Sequence, residues 1–301
     1  MNLEKLKKYI NNLYPALHTL SIRVRGLLNV AIFEQYKGII KNNGTKEIDG
    51  VVYHYIIVNL NKLKGTSMIK TYSEYSYALA ELMTQIGAED YEIIRADLSF
   101  NSDDPEDYEL FKKLNRLIIC CIASANGITN CYQSSNLWTQ KSLSIAIKSD
   151  SIEAENYNKF EESQGKYDTK NRLELRSKRI TGSLEVEFVT KWSQRLESAV
   201  QEFENVQSRY NYHLTNLWNE DKAKKKKDQE YTSMTDFVLR YKDCIFTRRQ
   251  LSSLFDALGS DNPEKLTKNF KENHSIEFFS LKNVKTITKT LQKKTKNYFD
   301  N

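Results

Sequence analysis

The sequence predicts an α+β fold: an antiparallel or mixed sheet with two helices on one face, of ferredoxin-like character, followed by an all-α basic C-terminal part. Three observations carry this. Strand-like and helix-like patterns alternate through the first 180 residues. From Ser183 onward the pattern is helical over long stretches. Only 10 Gly and 3 Pro occur in 301 residues, so few turns are forced and regular elements run long. At 40% hydrophobic content the chain can bury a sizeable core, and its length suits about two domains of roughly 150 residues.

In order, LHTLSIRV (17–24) is rich in strand formers, and VVYHYIIVNL (51–60) follows the turn signals Asn-Asn-Gly and Asp-Gly. YSEYSYALAELMTQIGA (72–88) repeats apolar residues at helical spacing and stops at Gly87. YEIIRADLSF (91–100) returns to alternation. DYELFKKLNRLIICCIASANG (107–127) is a second amphipathic helix, opened by Asp-Pro-Glu and closed by Asn-Gly. Three strands follow: SLSIAIKS (142–149), SIEAENYNKF (151–160) and RLELRSKRI (172–180). With helices on one face, the other face of this sheet is expected to be open and polar. Residues 185–218 carry a long helical pattern without Gly or Pro, long enough to brace the sheet or to dimerise. A lysine-rich joint, KAKKKK (222–227), is expected to be mobile, and short helices and an apolar run, IEFFSL, lead to a basic last helix.

Net charge is +6, and its location matters more than its size. Residues 221–301 hold 18 Lys+Arg against 11 Asp+Glu, while the remainder holds 27 against 28. All the excess positive charge lies in the last 81 residues, as in a polyanion-binding module joined to a neutral domain. Cys120, Cys121, Cys131 and Cys244 have no zinc-finger spacing and read as reduced core thiols. The charged N-terminus is no signal peptide, and no stretch approaches the ~18 apolar residues of a membrane span. The chain is expected to be soluble and cytoplasmic, with no membrane partner.

Strand phase gathers chemistry on one face. In IIRADLSF, Ile94, Ala96, Leu98 and Phe100 mark the core side, so Asp97 looks out with Arg95 and Ser99. In NRLELRSKR, Leu173 and Leu175 mark the core side, so Glu174 looks out with Arg172, Arg176 and Lys178. In SIEAENYNKF, Glu153, Glu155, Tyr157 and Lys159 share a face. Two or three carboxylates converging beside a tyrosine would hold a hard divalent cation, Mg²⁺ or Mn²⁺, able to polarise a phosphodiester. The tyrosine could attack phosphorus as a covalent nucleophile, and Lys159 could lower the phenol's pKa or neutralise the phosphate. The same pattern also suits a solvated face with cross-strand ion pairs.

The series RADLSF, then ENYNKFEES about fifty residues on, then NRLELRSKR, resembles the rolling-circle replication initiators of small plasmids from low-GC Gram-positive bacteria. Gene II type initiators of filamentous phage and relaxases of some integrative elements are related to them. In the plasmid initiators an Arg-x-Asp strand, a Tyr-Asn-Lys followed by Glu, and an Arg-φ-Glu-φ strand occur in this order. The match covers roughly residues 90 to 180. It implies a Rep/relaxase-like catalytic domain over 1–182, with Tyr157 as nicking tyrosine, Lys159 its neighbour, and Asp97 and Glu174 as metal-site carboxylates. Glu155 as a further ligand follows from strand phase. Many rolling-circle enzymes use a His-φ-His strand, whereas His18, His54, His213 and His274 are all unpaired in sequence, which favours a carboxylate-held metal. His54, in YHYIIV, is the histidine weighed as a lone ligand.

Residues 183–221 are then the bracing or dimerisation helix and 222–301 the basic DNA-binding part. TRRQLSSLFDALGSDNPEKLTKNFKEN (247–273) resembles a helix-turn-helix: Thr247 caps, Leu251, Leu254, Phe255 and Leu258 form a stripe, and Gly259 stops the first helix. Asp261 is expected to cap the second, with Pro263 near its first position. Lys265, Lys268, Asn269 and Lys271 would then face a major groove, with Arg248 and Arg249 on phosphates. An ordinary helical hairpin with a solvated basic face fits equally. The implied partners are origin DNA, duplex and single-stranded, a host helicase and a second copy of the chain. The implied function is metal-dependent nicking and joining at a plasmid origin through a 5′-phosphotyrosine. A conjugative relaxase and a non-enzymatic DNA-binding protein are the competing readings.

Overall fold

The computed structural model describes residues 1, 3–26, 28–29, 35–64, 68–88, 90–104, 108–128, 144–169 and 171–301. Strands β1 (Tyr14–Arg25), β2 (Ile40–Ile48), β3 (Val51–Val58), β4 (Tyr91–Ser102), β5 (Ser144–Lys148), β6 (Ile152–Tyr157) and β7 (Asn171–Ser177) form one sheet. Their order is β2-β3-β1-β4-β7-β6-β5, and each pair whose register is described is antiparallel. The helices are α1 (Leu3–Asn12), α2 (Tyr72–Gln85), α3 (Tyr108–Ala125), α4 (Lys159–Glu162), α5 (Trp192–Gln201), α6 (Phe203–Lys222), α7 (Met234–Arg240), α8 (Arg248–Ala257), α9 (Pro263–His274) and α10 (Leu281–Asp300). The protein is thus α+β with a largely helical C-terminal part.

The chain divides into two compact units, each assembled from separate stretches. The sheet unit comprises Asn12–Asp104, Lys148–Gln194 and Lys289–Asn301. Its apolar face is the alternate set Leu20, Ile22, Val24, Ala96, Leu98, Phe100, Leu173 and Leu175, all buried. Helix α2 buries Tyr75, Leu79, Leu82 and Met83, and the π-helical turn Val186–Lys191 buries Phe188. Trp192 Nε1 donates to Ser177 Oγ at 2.8 Å, and Phe299 packs against both Tyr72 and Phe188. The helical unit comprises Met1–Asn11, Pro105–Ile147 and Arg195–Thr288. Tyr9 of α1 stacks on Phe111 of α3 at 3.7 Å, and Leu214, Phe237, Leu254, Phe255 and Phe270 centre a core on α6 to α9.

Several expectations are corrected. The 107–127 helix, α3, groups with the helical unit rather than with α2. Strand β2 pairs with β3, and its Asn-Asn-Gly stretch is a register shift inside the hairpin rather than a turn before a strand. The strand expected over 151–160 ends at Tyr157, because the Asn158 side chain accepts from Glu161 N and starts α4. The long pattern over 185–218 is a π-helical turn, α5 and α6, with Glu202 between the last two. Asn262, not Asp261, caps α9, because it is the residue immediately before Pro263 at the first helical position. KAKKKK is a pinned turn: buried Asp221 accepts from Glu230 N and Tyr231 N and pairs with Lys224. Cys120, Cys121 and Cys244 are buried thiols outside any disulfide, whereas Cys131, Pro105 and Glu106 lie outside the described residues. No helix among the described residues is long and apolar enough to cross a membrane.

Candidate active site

Strand β7 lies between β4 and β6, so its outward residues Arg172, Glu174 and Arg176 each acquire a neighbour on both sides. Residues directly opposite in an antiparallel pair point to the same face. The register therefore builds three rungs: Asp97–Arg176–Glu153, Ser99–Glu174–Glu155 and Asn101–Arg172–Tyr157. Asp97, Glu174, Glu155 and Tyr157 share one face, opposite the apolar one.

That face is not the open surface the sequence suggested. Asp97 is 3% exposed, Glu174 1% and Tyr157 7%. Burial is tolerable because the middle strand alternates its charges and each acid meets a guanidinium. Arg176 approaches Glu155 at 2.9 Å and Asp97 at 3.5 Å, and contacts Glu153 and Glu174 as well. Arg95 clasps Asp97 with two hydrogen bonds of 3.0 and 3.1 Å. Lys178 pairs with Glu153 at 3.1 Å. Arg176 thus removes the repulsion between Glu155 and Glu174, which face each other across the ladder.

The individual acidities follow from this. Burial raises the Asp97 and Glu155 carboxyls, and the arginines oppose it only in part. Burial pushes Glu174 the same way, but His18, Arg176, Arg172 and the Tyr157 hydroxyl outweigh it and hold the carboxyl at about 2. Burial also lowers His18 to about 4. At neutral pH the imidazole is uncharged, so the arginines, rather than His18, keep Glu174 ionised. Tyr157 donates to Glu174 Oε1 at 2.7 Å. Burial and the adjacent carboxylate raise its phenol well above the ordinary tyrosine value.

His18 is the member that sequence reasoning missed. Pairing of β1 with β4 shifts by one residue between Leu17 and Thr19, making His18 the extra residue of a β-bulge. Counting back from Leu20, Ile22 and Val24 assigns His18 to the core side; the bulge breaks that phase. Its Nδ1 stands 3.7 Å from Glu174 Oε1. One donor atom from each of His18, Asp97 and Glu174 lies within 4.8 Å of the others. A neutral imidazole nitrogen with two carboxylate oxygens fits a divalent ion, and Mn²⁺ better than the oxygen-preferring Mg²⁺. Glu155 lies outside this group and faces Arg176. His54 is on β3, beside Thr45, and is not part of the group either.

Lys159 reaches Tyr157 by a route other than strand alternation. It opens α4, pairs with Glu162, and stands 5.8 Å from the Tyr157 ring centre. In the helical unit, Thr247 caps α8 by accepting from Gln250 N, and Gly259 turns the chain at φ +91°. Lys265, Lys268, Asn269 and Lys271 are all exposed on α9. Arg248 is 3.5 Å from Glu264 and Arg249 is 4.0 Å from Glu204, so these two are partly neutralised.

No family model and no curated protein matches the chain. Among solved structures, a rolling circle replication initiator protein from Geobacillus stearothermophilus is similar at 12% identity, over 77% of this chain and 96% of that one. The TM-score is 0.29, a superposition too loose to support a conclusion about fold or activity.

Proposed function

We propose that the protein nicks and rejoins DNA at a plasmid replication origin, with Tyr157 as nucleophile. One observation carries the reading: the Tyr157 hydroxyl is hydrogen-bonded to Glu174 Oε1, whose carboxylate also belongs to the His18–Asp97–Glu174 group. A candidate nucleophile and a candidate cation site are thereby joined through one carboxylate. The order of the Arg-x-Asp, Tyr-Asn-Lys and Arg-φ-Glu-φ segments supports the same reading.

Tyr157 Oη attacks the scissile phosphorus, the bond to the 3′-oxygen breaks, and a 5′-phosphotyrosyl link forms. As the Oη–P bond forms, the phenolic proton passes to Glu174 Oε1, which it already faces, and the departing 3′-oxygen takes its proton from solvent water. A Mg²⁺ or Mn²⁺ ion held by His18, Asp97 and Glu174 would supply electrostatic stabilisation of the charge developing on the phosphate oxygens. Glu155 keeps Arg176 in register with Glu174. Lys159 sits over the Tyr157 ring, so a single strand reaches Oη once the side chains above it give way. Arg248, Arg249, Lys265, Lys268, Asn269 and Lys271 hold the duplex beside the origin. A host helicase and a second copy of the chain are further partners of this reading.

The test is incubation with supercoiled DNA carrying the cognate origin and Mn²⁺, followed by detection of nicked circles with protein attached. Tyr157→Phe should remove the attachment and slow nicking by on the order of 10⁴-fold while origin binding persists. His18→Gln should weaken Mn²⁺ binding by at least about tenfold, the lower end of effects seen for residues around metal sites. Nicking by Tyr157→Phe at the wild-type rate would refute the assignment. Origin binding without any nicking would leave the non-enzymatic reading.

A further inference from the structure

We infer that the buried guanidinium of Arg172 receives a non-bridging oxygen of the scissile phosphate, an inference that rests on the nicking reading above. Arg172 is fully buried on the same rung as Tyr157 and Asn101. Its Nε donates to Asn101 Oδ1 at 2.7 Å. Its Nη1 lies 3.4 Å from Tyr157 Oη and 3.6 Å from Glu174 Oε1. Its Nη2 has no hydrogen-bond partner among the described residues.

A guanidinium carries five donors, and burying one of its nitrogens unbonded is costly for a charged group. The neighbouring arginine shows the contrast. Arg176 is shared by Asp97, Glu153, Glu155 and Glu174. Among the described residues, Arg172 has only Glu174 Oε1 within ion-pair reach, and that oxygen already accepts from Tyr157. Arg172 is therefore the under-compensated cation closest to the nucleophilic oxygen. Lys159, the other cation near Tyr157, is paired with Glu162.

The geometry selects the ligand. A phosphorus about 3 to 3.5 Å from Oη in an attack-ready pose places its non-bridging oxygens beside the Nη1–Nη2 edge of Arg172. That planar edge matches a phosphate in two-point hydrogen bonding, which an ammonium cannot reproduce. As the Oη–P bond forms and the bond to the 3′-oxygen breaks, charge on the non-bridging oxygens rises and then falls. A preplaced guanidinium stabilises that state more than the starting phosphodiester.

The test uses the full chain and a single-stranded oligonucleotide spanning the mapped nick site. The scissile linkage is either the normal phosphodiester or an uncharged methylphosphonate, in each diastereomer. On the phosphodiester, Arg172→Gln and Arg172→Lys should each lose about 10²- to 10³-fold in kcat with little change in KM. On the methylphosphonate that deficit should shrink to less than about tenfold, because no anionic oxygen remains to be compensated. An undiminished deficit on the neutral linkage would overturn the inference and make Arg172 a mere support for Tyr157 and Glu174. Thermal melting establishes that each variant is folded, and the Lys variant keeps the buried charge should the Gln variant melt early. Wild-type protein that nicks neither linkage overturns the nicking reading and this inference with it. Wild-type activity with an undiminished variant deficit overturns this inference alone.

Discussion

Four carboxylates and one guanidinium make Arg176 the residue through which the polar face balances its charge. A buried acid without such a partner would be protonated or would unfold its surroundings. The helical unit holds the opposite case in Lys113 of α3. Burial pushes its amine down to about 8, with Asp243 opposing and Arg116 assisting. One hydrogen bond, to Glu277 O at 3.3 Å, partly satisfies it. Because the folded value lies below the unfolded one, the unfolded chain binds the extra proton between about pH 8 and 10.5, and stability rises with pH in that window. Below pH 8 the whole penalty is present. Lys113→Met should therefore stabilise the protein at neutral pH by on the order of 2 to 3 kcal/mol. The gain should shrink towards pH 10.5, as urea melts at several pH values would show; a pH-independent gain would contradict the assignment.

Caps and bulges decide where the elements present their side chains. Asn158 ends β6 one residue after Tyr157 and turns Lys159 onto a helix, which brings the amine over the phenol ring. The bulge at His18 turns an imidazole out of the core phase and towards Glu174. At the start of α8 the Thr247 hydroxyl accepts from Gln250 N at 3.0 Å and donates to Gln207 on α6. Thr247→Ala should cost about 1 to 2 kcal/mol, with Thr247→Ser retaining most of the stability, as chemical denaturation would measure. Equal losses in both variants would place the threonine's value in its methyl group instead.

Across the whole molecule, charge is distributed unevenly: residues 221–301 carry a net +7 and the rest a net −1. If α9 meets DNA as proposed, its exposed lysines release counterions on binding. Replacing Lys265, Lys268 and Lys271 together by Gln should then flatten the slope of log affinity against log salt by roughly 3, at about 0.9 per phosphate contact. An unchanged slope in the full chain would remove α9 from the interface. The period-2 patterns of β4, β6 and β7 were legible residue by residue, because alternation depends only on a strand's own backbone, and they placed Asp97, Glu155, Glu174 and Tyr157 on one side of their strands. The 3.6-residue stripe and Thr247 cap of α8 were legible for the same local reason. Strand order, the depth of the polar face, the bulge at His18 and the exchange of one arginine among four acids were not. These depend on segments as far apart as residues 18, 97 and 174 coming together, and pairing partners and solvent access are properties of the assembled sheet that no single stretch of chain encodes.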